Sequence, residues 1–453
     1  MLPRPLAWLA IAAAFVGCGP TEGAADTQPA PAGRPSPSLA RYDEASRRSA
    51  CEAPIGTDRA DRATQTFYAP EDEHDLYDPL SSMFVASDGN VYFAANDNYW
   101  RVQAFVLDPG TGRATQLTHF DVRTGLAQTW TFAEALGRVF FGVPLGRDIE
   151  NDDAAVEARL YVTDGTPGGT HDAGRKARVD DYFADDSTLV GTKSALYVAH
   201  GGGYERVTAE GTAGPVVSGS PVRVGERVVF LRSDGASIVD TDGASAELGP
   251  GGPKATSRVR ELLRTELGTL FSDDPNAPIS DGVRFIRASD LHVERIAEKG
   301  AAVAVAVGGK MFVRLANEVL VTDGTQAGTV VLARHSSASQ KPALAAMDGR
   351  AYFEASNGIW ASDGTAAGTA LFRPNRAVRP DGDIVAHRGR LYFGYYEPGG
   401  QGRRLLSTDD GCAFRDVHLG TDGGYWPDQL TETPRGLVFS VRGHLGRAVA
   451  VTW

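Results

Sequence analysis

Few residues in this chain combine the types and spacings that do chemistry. The richest group is the acidic run Asp148, Glu150, Asp152, Asp153 and Glu157 within GRDIENDDAAVEA. Carboxylates at alternate positions suit a hard cation such as Ca²⁺, which takes about six to eight oxygen ligands. However, Asp153 stands where a calcium loop turns on glycine, and Glu157 falls short of the place of its bidentate ligand. A solvated insertion between strands accounts for the run. Asp164, Asp323 and Asp363 each open a DGT triplet; they are further oxygen donors, and turn stabilisation explains them. No metal or other cofactor is therefore expected. The nine histidines, His119, His292, His387 and His418 among them, lack the spacing of zinc ligands. No GxSxG elbow, HExxH, paired CxxC, phosphate-cradling loop or GxGxxG occurs. Catalytic residues are accordingly assigned to none, and a non-enzymatic role is favoured over a hydrolase or lyase whose groups converge from distant parts of the chain.

Aromatic pairs offer a different chemistry. NDNYWRVQ places Tyr99 with Trp100, and TDGGYWPDQ places Tyr425 with Trp426, both in polar, turn-rich surroundings. Such faces can stack on sugars or grip a protein partner, and packing between sheets competes with that reading. These four are the candidate binding residues.

The elements that must carry them are visible in a recurring turn. VTDGTPGGT (162–170), VTDGTQAGT (321–329) and ASDGTAAGT (361–369) are near-copies. Asp can accept bonds from amides just ahead, Gly tolerates positive φ, and Thr starts the returning strand. Upstream of each turn stand a glycine, a polar residue, a short aromatic-rich strand, a connection and a second short strand, which read as antiparallel hairpins. The aromatic-rich strand recurs at Tyr92, Phe140, Tyr197, Val229, Phe271, Phe312, Tyr352, Tyr392 and Val438. Neighbouring anchors lie about forty residues apart, the period of four-stranded propeller blades. Single hairpins are marginal in water, whereas stacked blades bury each other's faces, with Ile359 and Trp360 expected between adjacent sheets.

EVLVTDGTQAGT (318–329) and GIWASDGTAAGT (358–369) resemble the ELWxxDGT repeat of exported bacterial proteins. Degenerate copies extend the resemblance over most of 80–453. Trp360 keeps the family tryptophan, while Tyr161 and Leu320 replace it elsewhere. The resemblance implies a β-propeller-like repeat domain whose members mostly lack an assigned activity. An all-β propeller of four-stranded antiparallel blades is expected. Pairing the short C-terminal copy with N-terminal strand material, and merging the first and last anchors into one blade, gives eight blades within a range of seven to nine.

The first residues, MLPRPLAWLAIAAAFVGCGP, read as a targeting signal: Arg4 is the positive charge, and Leu6 to Val16 is apolar but short for a membrane span. Gly17 before Cys18 resembles the lipobox of bacterial lipoproteins, in which the cysteine is acylated and cleavage falls just before it. Residue Gly19, in place of an Asp-type retention signal, favours the outer membrane of the cell envelope by that resemblance. Two or three acyl chains anchor firmly, since each buried CH₂ contributes about 0.8 kcal/mol. Residues 1–17 are thus expected to be the signal peptide, 18–50 a disordered tether rich in Pro, Ala and Ser, and 51–453 the propeller. Cys51 and Cys412 sit near the two ends of the folded region. An oxidising compartment and ring closure favour a disulfide between them, with two independent thiols as the alternative. Net charge is −12, and no dense Lys/Arg cluster reverses it, so nucleic acid is not an expected partner. A membrane reached through the lipid anchor, and a protein or glycan partner, are, with a scaffold subunit of an envelope complex as an alternative role.

Overall fold

The computed structural model describes residues 63–70, 81, 83–98, 101–121, 130–144, 156–179, 188–200, 203–209, 216–232, 237–241, 244–247, 259–273, 282–298, 303–334, 343–355, 358–373, 380–396, 403–409, 414–417, 426–443 and 446–452. The chain divides into two units, 1–35, which lies outside the described residues, and 36–453.

Nine antiparallel sheets form among the described residues. Blades 1 to 8 follow one another at 84–116, 132–179, 189–207, 220–247, 259–297, 303–334, 344–373 and 380–416. Blade 9 combines Trp426–Glu432, Leu437–Gly443 and Gly446–Thr452 with the N-terminal strand Ala63–Pro70, which pairs with Gly446–Thr452. Within blades 1 to 8 the strands pair in chain order, and the first strands of successive sheets touch one another over much of the circuit. Those first strands are therefore innermost. The chain is a β-propeller whose last sheet is completed by its N-terminal strand. Among the described residues blade 3 has three strands, and the bridge between Tyr204 and Val217 lies beyond Gly203–Val207.

The expected count of eight moves to nine, at the upper end of the expected range. Each of the nine anchors lies in the second strand of its own sheet, Tyr92 in blade 1 and Val438 in blade 9, so the first and last do not merge. The N-terminal segment supplies the fourth strand of blade 9, which leaves blade 1 with four strands of its own.

Side-chain alternation explains why the second strand is aromatic-rich. Successive residues of a strand point to opposite faces, so a doublet serves two interfaces. Tyr352 joins the core between blades 7 and 8 while Phe353 joins that between blades 6 and 7. Tyr92 and Phe93 divide in the same way between blade 2 and blade 9. Ile359 and Trp360 do so too, as expected from their place in the repeat. Every successive pair of blades shares one such cluster, and Val438 packing with Val91 and Phe93 closes the circuit. Burying a Phe or Leu fully contributes about 1.5–3 kcal/mol, so these clusters are the main force holding sheet to sheet. Arg435, at the inner turn of blade 9, adds a polar clasp, donating to Asp108 Oδ1 at 2.9 Å and to Asn90 Oδ1 at 3.3 Å in blade 1.

The DGT turn proves to be a self-contained hydrogen-bonded unit between the third and outermost strands. In blade 6, Asp323 Oδ1 accepts from the Thr325 amide at 2.9 Å and the Thr325 hydroxyl at 2.7 Å. The Thr325 hydroxyl accepts from the Gly328 amide at 2.9 Å, and Thr329 donates back to the Thr325 carbonyl at 2.6 Å. The same bonds recur at Asp164 and Asp363. Gly324 has φ +94°, and a Cβ placed on it would lie 2.5 Å from the ring of Phe285 in blade 5. Its conservation among the three copies of this turn thus serves the backbone and the preceding blade at once.

Candidate functional site

The innermost strands of blades 1 to 5 line a cavity of about 730 Å³. Its walls divide by chemistry. Blades 1 to 3 contribute apolar residues such as Met83, Phe84, Phe132 and Leu189; blades 4 and 5 contribute all the charged ones, Arg223, Arg260, Glu261 and Arg264, together with Pro221, Val259, Leu262 and Leu263.

Local backbone geometry sets the charged wall. The strand Val259–Thr265 carries a bulge between Glu261 and Leu263. Without it, residues three apart in a strand would face opposite sides. With it, Arg264 meets Glu261, donating to Glu261 Oε1 from Nε at 3.0 Å and from a terminal nitrogen at 2.7 Å. Arg223 comes from the facing strand Ser220–Val224, whose position is fixed by pairing with Arg227–Leu231 and by the Thr269 hydroxyl donating to the Arg223 carbonyl. The Arg223 guanidinium is half-buried, and its Nε has no hydrogen-bond partner. Burial, then the like charge of Arg264, pulls its pKa down; Glu261, Glu226 and Glu134 offset this only in part.

Other ionisable groups are withdrawn from water, His387 and Arg314 among them. His387 ends the innermost strand of blade 8, 4% exposed, with Nδ1 3.7 Å from Glu432 Oε1 of blade 9. Burial and then the neighbouring Arg388 lower its pKa, while burial raises that of Glu432. Arg314, fully buried at the end of the second strand of blade 6, donates to the Leu315 carbonyl at 3.0 Å. Burial pushes its pKa down to about 10 against the opposing pull of Glu354 in blade 7. Arg314 lies apart from the cavity lining and is built into the sheet packing; the cavity wall is the better candidate for contact with a ligand.

Of the residues singled out in the sequence, Cys18, Cys51, Cys412, Tyr99, Trp100 and Tyr425 lie outside the described residues, as do Asp148, Glu150, Asp152 and Asp153. Trp426 opens the innermost strand of blade 9, opposite Arg442. Asp164, Asp323 and Asp363 stand in blades 2, 6 and 7, each committed to its own turn. Among the described residues no group of three or more His, Cys, Asp or Glu side chains is placed to hold a metal ion. The cavity residues were not evident from the sequence. SPVRV and VRELLRT carry no motif, and only the curvature of the ring brings them to one wall.

A scan against protein-family models and a search of curated proteins return no match. Among solved structures, the chain is similar to BamB from Moraxella catarrhalis, with TM-score 0.42 and 12% identity over 86% of this chain and 100% of that one. It is also similar to the computationally designed Ika8 protein (TM-score 0.39, 13% identity, 71% of this chain and 95% of that one). A puromycin hydrolase aligns with TM-score 0.40 and 13% identity over 84% of this chain and 61% of that chain.

Proposed function

We propose that this propeller is a binding module held outside the cytoplasm, in the cell envelope, by acyl chains on Cys18, where it engages a protein or glycan partner. The cavity carries this reading: blades 1 to 3 line it with apolar residues, and blades 4 and 5 add guanidinium groups, the half-buried Arg223 among them. Apolar pockets with a few placed polar groups are the usual form of a ligand site. The lipobox-like GC at 17–18 and the Pro- and Ala-rich stretch that follows support the anchor and the tether. The resemblance to the ELWxxDGT repeat supports export.

Two measurements test this. Cells fed an alkyne fatty acid should label the wild-type protein and not a Cys18→Ala variant; equal labelling removes the anchor. Affinity capture of the full chain from envelope extracts should enrich a defined partner. The Trp100→Ala/Trp426→Ala variant should lose it if the aromatic pairs form the contact. Retention by that variant shifts the contact elsewhere, and absence of any enriched partner contradicts the binding role.

A further inference from the structure

The division of the cavity wall specifies its ligand more closely, given the binding role just proposed. Arg223 is the decisive residue. A guanidinium is a rigid fork of donors suited to a carboxylate or phosphate, and withdrawing it from water without an acceptor is costly. Here the group lines a cavity of about 730 Å³, and its buried Nε has no hydrogen-bond partner among the described residues. The carboxylate best placed to neutralise it, Glu261, is already bonded twice by Arg264. Arg260 lines the same wall and is exposed, so the wall holds three guanidinium groups against one carboxylate. This positive wall is local, because the whole chain carries a net charge of −12. Blades 1 to 3 line the same cavity with Met83, Phe84, Val85, Phe132, Leu189 and Val190.

We propose that the cavity binds an amphipathic organic anion, its carboxylate held by Arg223 and its apolar body laid against blades 1 to 3. The volume falls in the range of about 300–1,000 Å³ typical of small-ligand sites, which sets the ligand at small-molecule or short-peptide size. Arg260 adds attraction at longer range, and the Arg264–Glu261 pair holds the rest of the wall in place. Two sources of this chemistry fit: a free acid with an apolar tail, and the C-terminus of an apolar peptide.

The test is titration calorimetry on the full chain in nanodiscs at low salt. The probes are 3-phenylpropionate and N-acetyl-Leu-Phe, each against its primary amide. Wild type should bind at least one acid at least tenfold more tightly than the matching amide. Preference between the two acids identifies the source. Arg223→Ala should lose at least tenfold in affinity for that acid, and Arg223→Lys should recover part of it. Arg159→Ala, on the third strand of blade 2 and away from the cavity lining, should bind as wild type does. Thermal melts establish that each variant is folded; should Arg223→Ala fail to fold, Arg223→Lys and Arg260→Ala carry the comparison, each with a measurable loss expected. Acid and amide binding alike, binding unchanged in the folded Arg223 variants, or no binding of either acid to wild type would overturn the assignment. Partner capture by wild type alongside any of those results would leave the binding role standing and remove only this site.

Discussion

Gly324 allows the role of the recurring turn to be separated into two parts. At φ +94° any residue with a Cβ is strained, by about 1–2 kcal/mol. In addition, the new Cβ would stand 2.5 Å and 2.7 Å from two ring carbons of Phe285. That ring is 2% exposed and packed with Leu270, Met311 and Val313 in the core between blades 5 and 6, so it has little room to move. Overpacking of this kind adds about 1–3 kcal/mol. Gly324→Ala should therefore cost about 2–5 kcal/mol. Gly349 provides the reference: its φ is +72° and a Cβ there meets nothing within 4 Å. Gly349→Ala should cost only the backbone share, about 1–2 kcal/mol. Urea unfolding of both variants, followed by far-UV circular dichroism, gives the two shifts in midpoint. A Gly324→Ala loss no greater than that of Gly349→Ala would refute the idea that the turn is wedged against the preceding blade.

Two pH-dependent outcomes follow from the ionisable groups. Hydrogen bonds from the Thr hydroxyl and amide hold Asp164, Asp323 and Asp363 below the usual carboxylate range. Their contribution is complete above about pH 4 and is lost as pH falls through the lowered value. Replacing all three by Asn should keep the fold at neutral pH and flatten the acid limb of melting temperature against pH; an unaltered limb contradicts it. His387 behaves with the opposite origin and the same slope. Its lowered pKa means that below about pH 6.5 the unfolded chain takes up a proton that the folded chain refuses, so stability is lost as pH drops through that window. His387→Gln should remove that decline, and a persisting decline would assign it to other groups.

Much of the architecture was legible because its signals are local. A tight turn followed by a short strand with at least one aromatic residue identifies the second strand of every blade, and DGT identifies the junction of the third and outermost strands in blades 2, 6 and 7. Both follow from turn chemistry and from the two-residue period of a strand. Ring closure by N-terminal strand material was also legible, from the shortness of the last copy. The blade count was not, because ATQTFYAP (63–70) has no partner nearby in sequence and gives no sign of which sheet it completes. Its partner is Gly446–Thr452, and loop length says nothing of such a pairing. Cavity residues were illegible for a related reason. Arg223 and Arg264 belong to separate hairpins, and the meeting of Arg264 with Glu261 depends on a bulge that no residue type announces. The aromatic pairs, by contrast, were conspicuous in sequence, and Trp426 is placed on an innermost strand.

The pairing that completes blade 9 is the point on which the nine-membered ring depends, and its register can be measured. Tyr68 lies opposite Ala448, whereas Val449 lies opposite Phe67. A one-residue shift along a strand moves a side chain to the other face of the sheet. In a background with Cys51 and Cys412 changed to Ser, Tyr68→Cys with Ala448→Cys should form an intramolecular disulfide under mild oxidation. Tyr68→Cys with Val449→Cys should remain reduced. Cross-linking in both pairs, or in neither, would contradict closure of the ring by Ala63–Pro70.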